Sequence, residues 1–140
     1  MENKILSMIE TYEEDNDFYG PIAIERIHEI EKDLEVKFPL MYKNFIQGYG
    51  SGGICGVNIL GIEGNDGVSV LKTTERYREL GLRKDLIVIE DLGEFIMCSE
   101  TGDNETILYW DRVEKQETIR YDNFQDYLVD TFQEAIDNWD

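Results

Sequence analysis

Phe38-Pro39-Leu40-Met41-Tyr42-Lys43-Asn44-Phe45-Ile46-Gln47-Gly48-Tyr49-Gly50-Ser51-Gly52-Gly53 decides the fold, because the pattern of the chain changes across it. Pro39 opens a helix whose buried stripe is Met41, Tyr42, Phe45, Ile46 and Tyr49, spaced three and four residues apart. The glycine cluster at its end can supply positive φ angles, so Gly50, Gly52 and Gly53 are expected to form a structural turn. Gly48, Gly50 and Gly53 also satisfy a bare G-x-G-x-x-G spacing. A dinucleotide loop is rejected, since its glycines follow a strand and open a helix, and these close a helix.

Upstream the period is helical. Ile5, Leu6, Met8, Ile9 and Tyr12 mark a first amphipathic helix. A second is expected from Pro21 to about Val36, with Ile24, Ile27, Ile30 or Glu31, and Leu34 on one face. Downstream the period becomes that of strands. Ile54 to Leu60, Leu86 to Glu90, Glu94 to Ser99, Thr106 to Asp111 and Glu117 to Tyr121 are short, rich in β-branched and aromatic residues, and bounded by turn formers. A short helix is expected over Thr73 to Leu80, between the first two of these strands. Asp91-Leu92-Gly93 and Thr101-Gly102-Asp103-Asn104 read as hairpin turns, which makes an antiparallel meander. The last segment, Asn123 to Trp139, returns to helical period with Asn123 or Asp122 as its cap. Helices, then a mainly antiparallel sheet, then an amphipathic helix predict one α+β domain over residues 1–140.

The charge excludes more than it identifies. With 31 acidic and 13 basic residues the chain carries −18, which repels nucleic acid and anionic membrane alike. Such a field attracts a basic protein and speeds the encounter. The amino end mixes charged and apolar residues from the start, and no apolar run is long enough to span a membrane, so a cytoplasmic protein is expected. Cys55 and Cys98 stand far apart in apolar stretches and read as buried free thiols. Asn104-Glu105-Thr106 matches a glycosylation sequon, a match that is empty without secretion.

Catalytic and metal chemistry find little to stand on. His28 is the only histidine and lies mid-helix, where a surface or packing role is expected. One histidine and two separated cysteines make a structural zinc site improbable, and neither metal nor cofactor is expected. Carboxylates are so abundant that a glycosidase-like pair can always be drawn, which empties the suggestion of content.

The terminal helix carries ordered charge. Asp122, Asp126, Asp130, Glu134, Asp137 and Asp140 fall within an arc of roughly 120° at 100° per residue. Phe124, Tyr127, Leu128, Phe132, Ala135, Ile136 and Trp139 fill the other side. Like charges at i,i+4 cost a few tenths of a kcal/mol each, so an unmixed stripe asks for an offset, and a partner-facing role supplies one. Glu90, Asp91 and Glu94 form the second acidic candidate surface. Lys72, Arg76, Arg78, Arg83 and Lys84 make one basic island, for which ion pairing with the neighbours Glu75, Glu79 and Asp85 is expected.

Ile27-x-x-x-Glu31-x-x-Leu34, Phe38-Pro39-x-x-Tyr42-x-x-Phe45-Ile46 and Tyr49-Gly50-Ser51-Gly52-Gly53, taken in order, resemble the amino-terminal signature of the SUKH superfamily. Phe38 stands where leucine is usual, and Gly50-Ser51 departs mildly in the turn. Val88-Ile89-Glu90-Asp91, the strand through Cys98, Tyr109-Trp110-Asp111 before Val113, and the aromatic terminal helix resemble the later part of bacterial members, so the resemblance runs from about Ile22 to Trp139. It implies an α+β domain in a group that includes fungal cell-wall-synthesis regulators and bacterial immunity proteins, and it supplies no catalytic residues. An immunity protein that binds and neutralises a cognate toxin, often a nuclease with a basic nucleic-acid-binding surface, agrees with the charge. A non-catalytic regulatory scaffold and a carboxylate-dependent hydrolase are the alternatives. Oligomeric state is left open.

Overall fold

The computed structural model describes residues 3–65 and 67–139. Helices α1 (Asn3–Tyr12), α2 (Ile24–Leu34), α3 (Leu40–Tyr49) and α4 (Ser69–Glu79) precede strands β1 (Leu86–Asp91), β2 (Phe95–Glu100), β3 (Ile107–Asp111) and β4 (Glu117–Tyr121), and α5 (Phe124–Asp137) closes the order. The strands form one antiparallel sheet in the order β1-β2-β3-β4. This is the α+β meander the sequence predicts.

The join between α2 and α3 shows why the motif needs its residue types. Glu35 ends α2 in the left-handed region at φ 58°, and Pro39 stands extended as the cap of α3. Between them the Glu31 carboxylate, on the buried face of α2, accepts the Phe38 N–H at 2.7 Å and pairs with Lys43 Nζ at 3.3 Å. The carboxylate thus satisfies a buried backbone donor at a helix break. Tyr42, fully buried, donates its hydroxyl to the Leu60 carbonyl at 2.6 Å and ties α3 to the following loop. Glu31→Ala is expected to cost about 2–3 kcal/mol by orphaning the Phe38 donor, and Glu31→Gln distinctly less because it keeps an acceptor. Urea unfolding of the two variants measures the difference; equal stabilities would remove this role from Glu31.

Three expectations need correction. Ile54 to Leu60 is not a strand. Cys55 at φ 52° and Gly56 at φ 84° fold it into a turn, and the segment reaches β1 through the Leu60 N–H to Ile89 carbonyl bond at 2.8 Å. Its apolar residues Ile54, Ile59 and Leu60 are nevertheless buried, so the β-branched, apolar composition here marks a core-facing loop. α2 starts at Ile24, not Pro21, because Gly20 and Ile22 donate their N–H groups to Tyr49 and Gln47 and hold the preceding chain extended. α4 starts four residues before the expected Thr73, where the Glu63 carboxylate accepts from both the N–H and the hydroxyl of Ser69 at 2.8 and 2.7 Å.

The core has two lobes about the sheet. On one face α4 packs against β1, with Tyr77 edge-on to Trp110 and the Thr74 hydroxyl accepting the Val88 N–H at 2.9 Å beside the bulge in β1. Toward the other face α1, α3 and α5 meet around Tyr42, Phe45, Phe124 and Tyr127, whose rings contact one another edge-on or tilted. Gly50 and Gly52 take the positive φ expected of the turn, at 77° and 104°. Gly53 does not; glycine is required there because a Cβ would stand 2.6 Å from the Val57 carbonyl oxygen.

Candidate functional site

α5 begins on Asn123, whose side chain accepts the Asp126 N–H at 2.8 Å, and docks through Phe124, Tyr127, Leu128 and Phe132. Asp126, Asp130, Glu134 and Asp137 lie on its outer side, and Asp122 is exposed just before it; Asp140 lies outside the described residues. Asp130 accepts the Tyr121 hydroxyl and Asp137 the Gln133 amide at 2.9 Å. Burial first, and then this bond to Asp130, pushes the Tyr121 phenol up to about 12. Among the described residues none of the stripe's carboxylates is ion-paired. Three members of the apolar side depart from expectation, the first being Ala135, which is only partly covered. Ile136 is only half-buried, and Trp139, beyond the helix end, is 50 % exposed beside Gly56.

Glu90, Asp91 and Glu94 do not form one patch, because successive residues of a strand face opposite sides. Asp91 turns toward α4, where it takes Arg76 at 2.9 Å and the Tyr77 hydroxyl at 3.4 Å, and it also caps the Gly93 N–H at 3.0 Å. Glu94 is exposed in the turn. Glu90 turns the other way and is only 8 % exposed, accepting the Tyr127 hydroxyl. Burial raises its pKa, opposed by the Tyr127 hydrogen bond and reinforced by the charge of Glu134. The folded state therefore favours the protonated acid, a stabilisation fully present below the ordinary glutamate value and lost as pH rises through the raised one.

Glu90 and Glu134, from the two candidate surfaces, thus come together. They line an open groove of about 380 Å³ between α5 and the sheet. Phe95 and Met97 of β2 make its floor, Val57 and Leu92 stand at its lining, and Arg120, Tyr121, Thr131 and Ala135 complete its walls. The Arg120 guanidinium lies over the Tyr109 ring at 5.9 Å, and Tyr109 itself packs on Phe95 at 4.4 Å. Sequence reading misses this groove. The available signal is that Phe95, Met97 and Tyr109 share one strand face, yet Phe95 and Tyr109 remain half-buried.

The other candidates resolve simply. His28 is exposed on α2. Cys98 is buried and burial pushes its thiol up; Cys55 is only partly covered, contrary to expectation, and burial followed by Asp17 and Glu14 raises its thiol too. Of the basic island, Arg76 and Arg83 are ion-paired, and among the described residues neither Glu75 nor Glu79 forms a salt bridge with it. Arg83 spans Asp85, Glu100 and Glu117, Arg76 takes Asp91, and Arg78 donates to the carbonyls of Leu34 and Lys84. Among the described residues no group of three or more His, Cys, Asp or Glu is placed to hold a metal ion, and no helix is long and apolar enough to cross a membrane.

A family model described as SUKH_5, SMI1-KNR4 cell-wall, matches residues 3–133. A crystal structure of a protein from Pseudomonas syringae pv. tomato is similar in fold, with a TM-score of 0.72 at 19% identity, covering 99% of this chain and 98% of that one.

Proposed function

Because this chain belongs to the SMI1-KNR4 family, whose members generally bind partner proteins and are generally non-catalytic, we propose that it is an immunity protein. In this reading it binds a cognate toxin domain with a basic nucleic-acid-binding surface and silences it by contact. The observation that carries the reading is the outer face of α5, where Asp126, Asp130, Glu134 and Asp137 stand without an ion pair among the described residues on a chain of charge −18. Unpaired like charges along a helix cost stability, and a basic partner turns that cost into attraction.

The test takes the product of the gene immediately upstream of this chain's own as the candidate toxin, with surface-bound kinetics and cell protection measured in parallel. Raising salt from ~0.05 to ~0.5 M is expected to slow association far more than it speeds dissociation, since rim charges act through screened long-range attraction. Changing Asp126, Asp130 and Glu134 together to Asn, Asn and Gln is expected to lower the association rate by about tenfold with the fold intact. A wild-type chain that neither binds nor protects would remove the immunity reading and favour a regulatory one. A triple variant equal to wild type at low salt would reduce the stripe to a solvated surface.

A further inference from the structure

Glu90 is an unusual member of a groove wall. Only 8 % of it remains exposed, yet it lines an open hollow. One of its oxygens takes the Tyr127 hydroxyl, and the other has no hydrogen bond among the described residues. A carboxylate has about four acceptor sites, so most of this one's capacity is left for a donor that enters the hollow. Ionising a carboxyl so covered is costly until a cation meets it. Glu134, on the facing wall, adds a second negative charge that reaches Glu90. Arg120 is the cation on the lining, but its guanidinium lies over Tyr109 and forms no ion pair among the described residues. Tyr121 and Tyr127, the remaining titratable groups of these walls, are phenols held protonated by burial.

We propose that this groove receives one lysine or arginine side chain of the protein partner, its methylene stem along Phe95 and Met97 and its charged head between Glu90 and Glu134. The shape fits such an occupant, because a long basic side chain needs an apolar trough for its stem and acceptors only at its tip. A hollow of about 380 Å³ has room for one. A metal ion fits less well, since two carboxylates make a thin ligand set and no third His, Cys, Asp or Glu joins them among the described residues. The inference deepens the partner-binding reading above and rests on it: α5's outer face draws the partner in, and the groove holds one of its side chains.

Two measurements separate the groove from that reading. In the first, the full chain is titrated at about 0.15 M salt, where exposed charges more than ~8 Å apart are screened, with N-acetyl-arginine methylamide and with its neutral isostere N-acetyl-citrulline methylamide. Backbone amide shifts of Glu90, Phe95, Met97, Thr131 and Ala135 are expected to move with the arginine probe. The citrulline probe, and arginine on the Glu90→Gln variant, are expected to bind about 30-fold more weakly or worse, the factor for losing one partner of a desolvated charge pair. Glu134→Gln, a change that leaves the buried Tyr127 contact alone, is expected to weaken it in the same direction. Equal binding of the two probes, or shifts confined to Asp126, Asp130 and Asp137, would overturn the proposal. In the second measurement, Ala135→Arg fills the groove from its rim and is expected to speed dissociation of the toxin domain. If wild type binds the toxin and this variant binds it equally well, the groove lies outside the interface and the immunity reading stands without it. If wild type does not bind the toxin, that reading falls, and the arginine titration alone decides the chemistry of the groove.

Discussion

Gly52→Val is expected to lose about 4 kcal/mol or more of stability, most of what holds a marginal domain folded. Two independent effects combine. Gly52 holds φ at 104°, a region costly for any residue with a side chain and most costly for a β-branched one. A Cβ there would also stand 2.0 Å from the Asp17 carbonyl oxygen, a backbone atom that cannot swing aside as a side chain can. Gly52 is the middle member of a small bridge between Phe18 and Ile59, exchanging N–H to O bonds with Ile59 at 2.9 and 3.0 Å. Yielding to the clash would break that bridge. Gly48 is the control, because it lies inside α3 at ordinary φ with open space where its Cβ would be. Gly48→Ala is expected to gain about 0.5–1 kcal/mol from helix propensity alone. Chemical denaturation of both variants checks the pair; a Gly52→Val variant with the wild-type midpoint would show that the turn is not built this way.

Phe132→Ala is expected to cost about 3–5 kcal/mol, while Trp139→Ala costs less than about 1 kcal/mol. The two aromatics occupy the same apolar arc when the helix is drawn from sequence, yet Phe132 is 0 % exposed and Trp139 is 50 % exposed. Phe132 leaves a cavity in a packed interior when truncated. Trp139 stands past the last turn of α5 and leaves only a more open surface. Thermal unfolding of the single variants measures both losses, and comparable losses would mean that Trp139 is buried in solution.

Much of the fold is legible in the sequence. Glu31, Phe38, Pro39 and Tyr42 sit at positions where local chemistry is decisive, a helix break and a buried acceptor, so their types announce the geometry that α2 and α3 adopt. The hairpins are legible for the same reason, since Gly93 and Gly102 are needed at positive φ. Ile54 to Leu60 is not, because a strand and a buried loop bury apolar residues alike, and only tertiary partners separate them. The acidic face of α5 can be drawn from a helical wheel. Its meeting with Glu90 cannot, since that depends on the bulge between Val88 and Glu90 and on which sheet face α5 covers. For Arg83, sequence proximity suggests Asp85, and folding adds Glu117 and Glu100 from other strands.

The bridge around Gly52 also bears on how this protein moves. Tyr19 and Gly20 donate to Ser51 and Tyr49, Gly53 donates to Asp17, and Ile62 donates to Gly50, so three stretches without regular helix or strand are laced together through their backbones. Ile54, Ile59 and Ile62 lie buried against that lacing. Opening any one stretch would therefore expose core and release donors in the other two. Breathing there is expected to require rare, near-global opening, so hydrogen exchange should find slowly exchanging amides beyond the sheet, in these loops as well as in the helices.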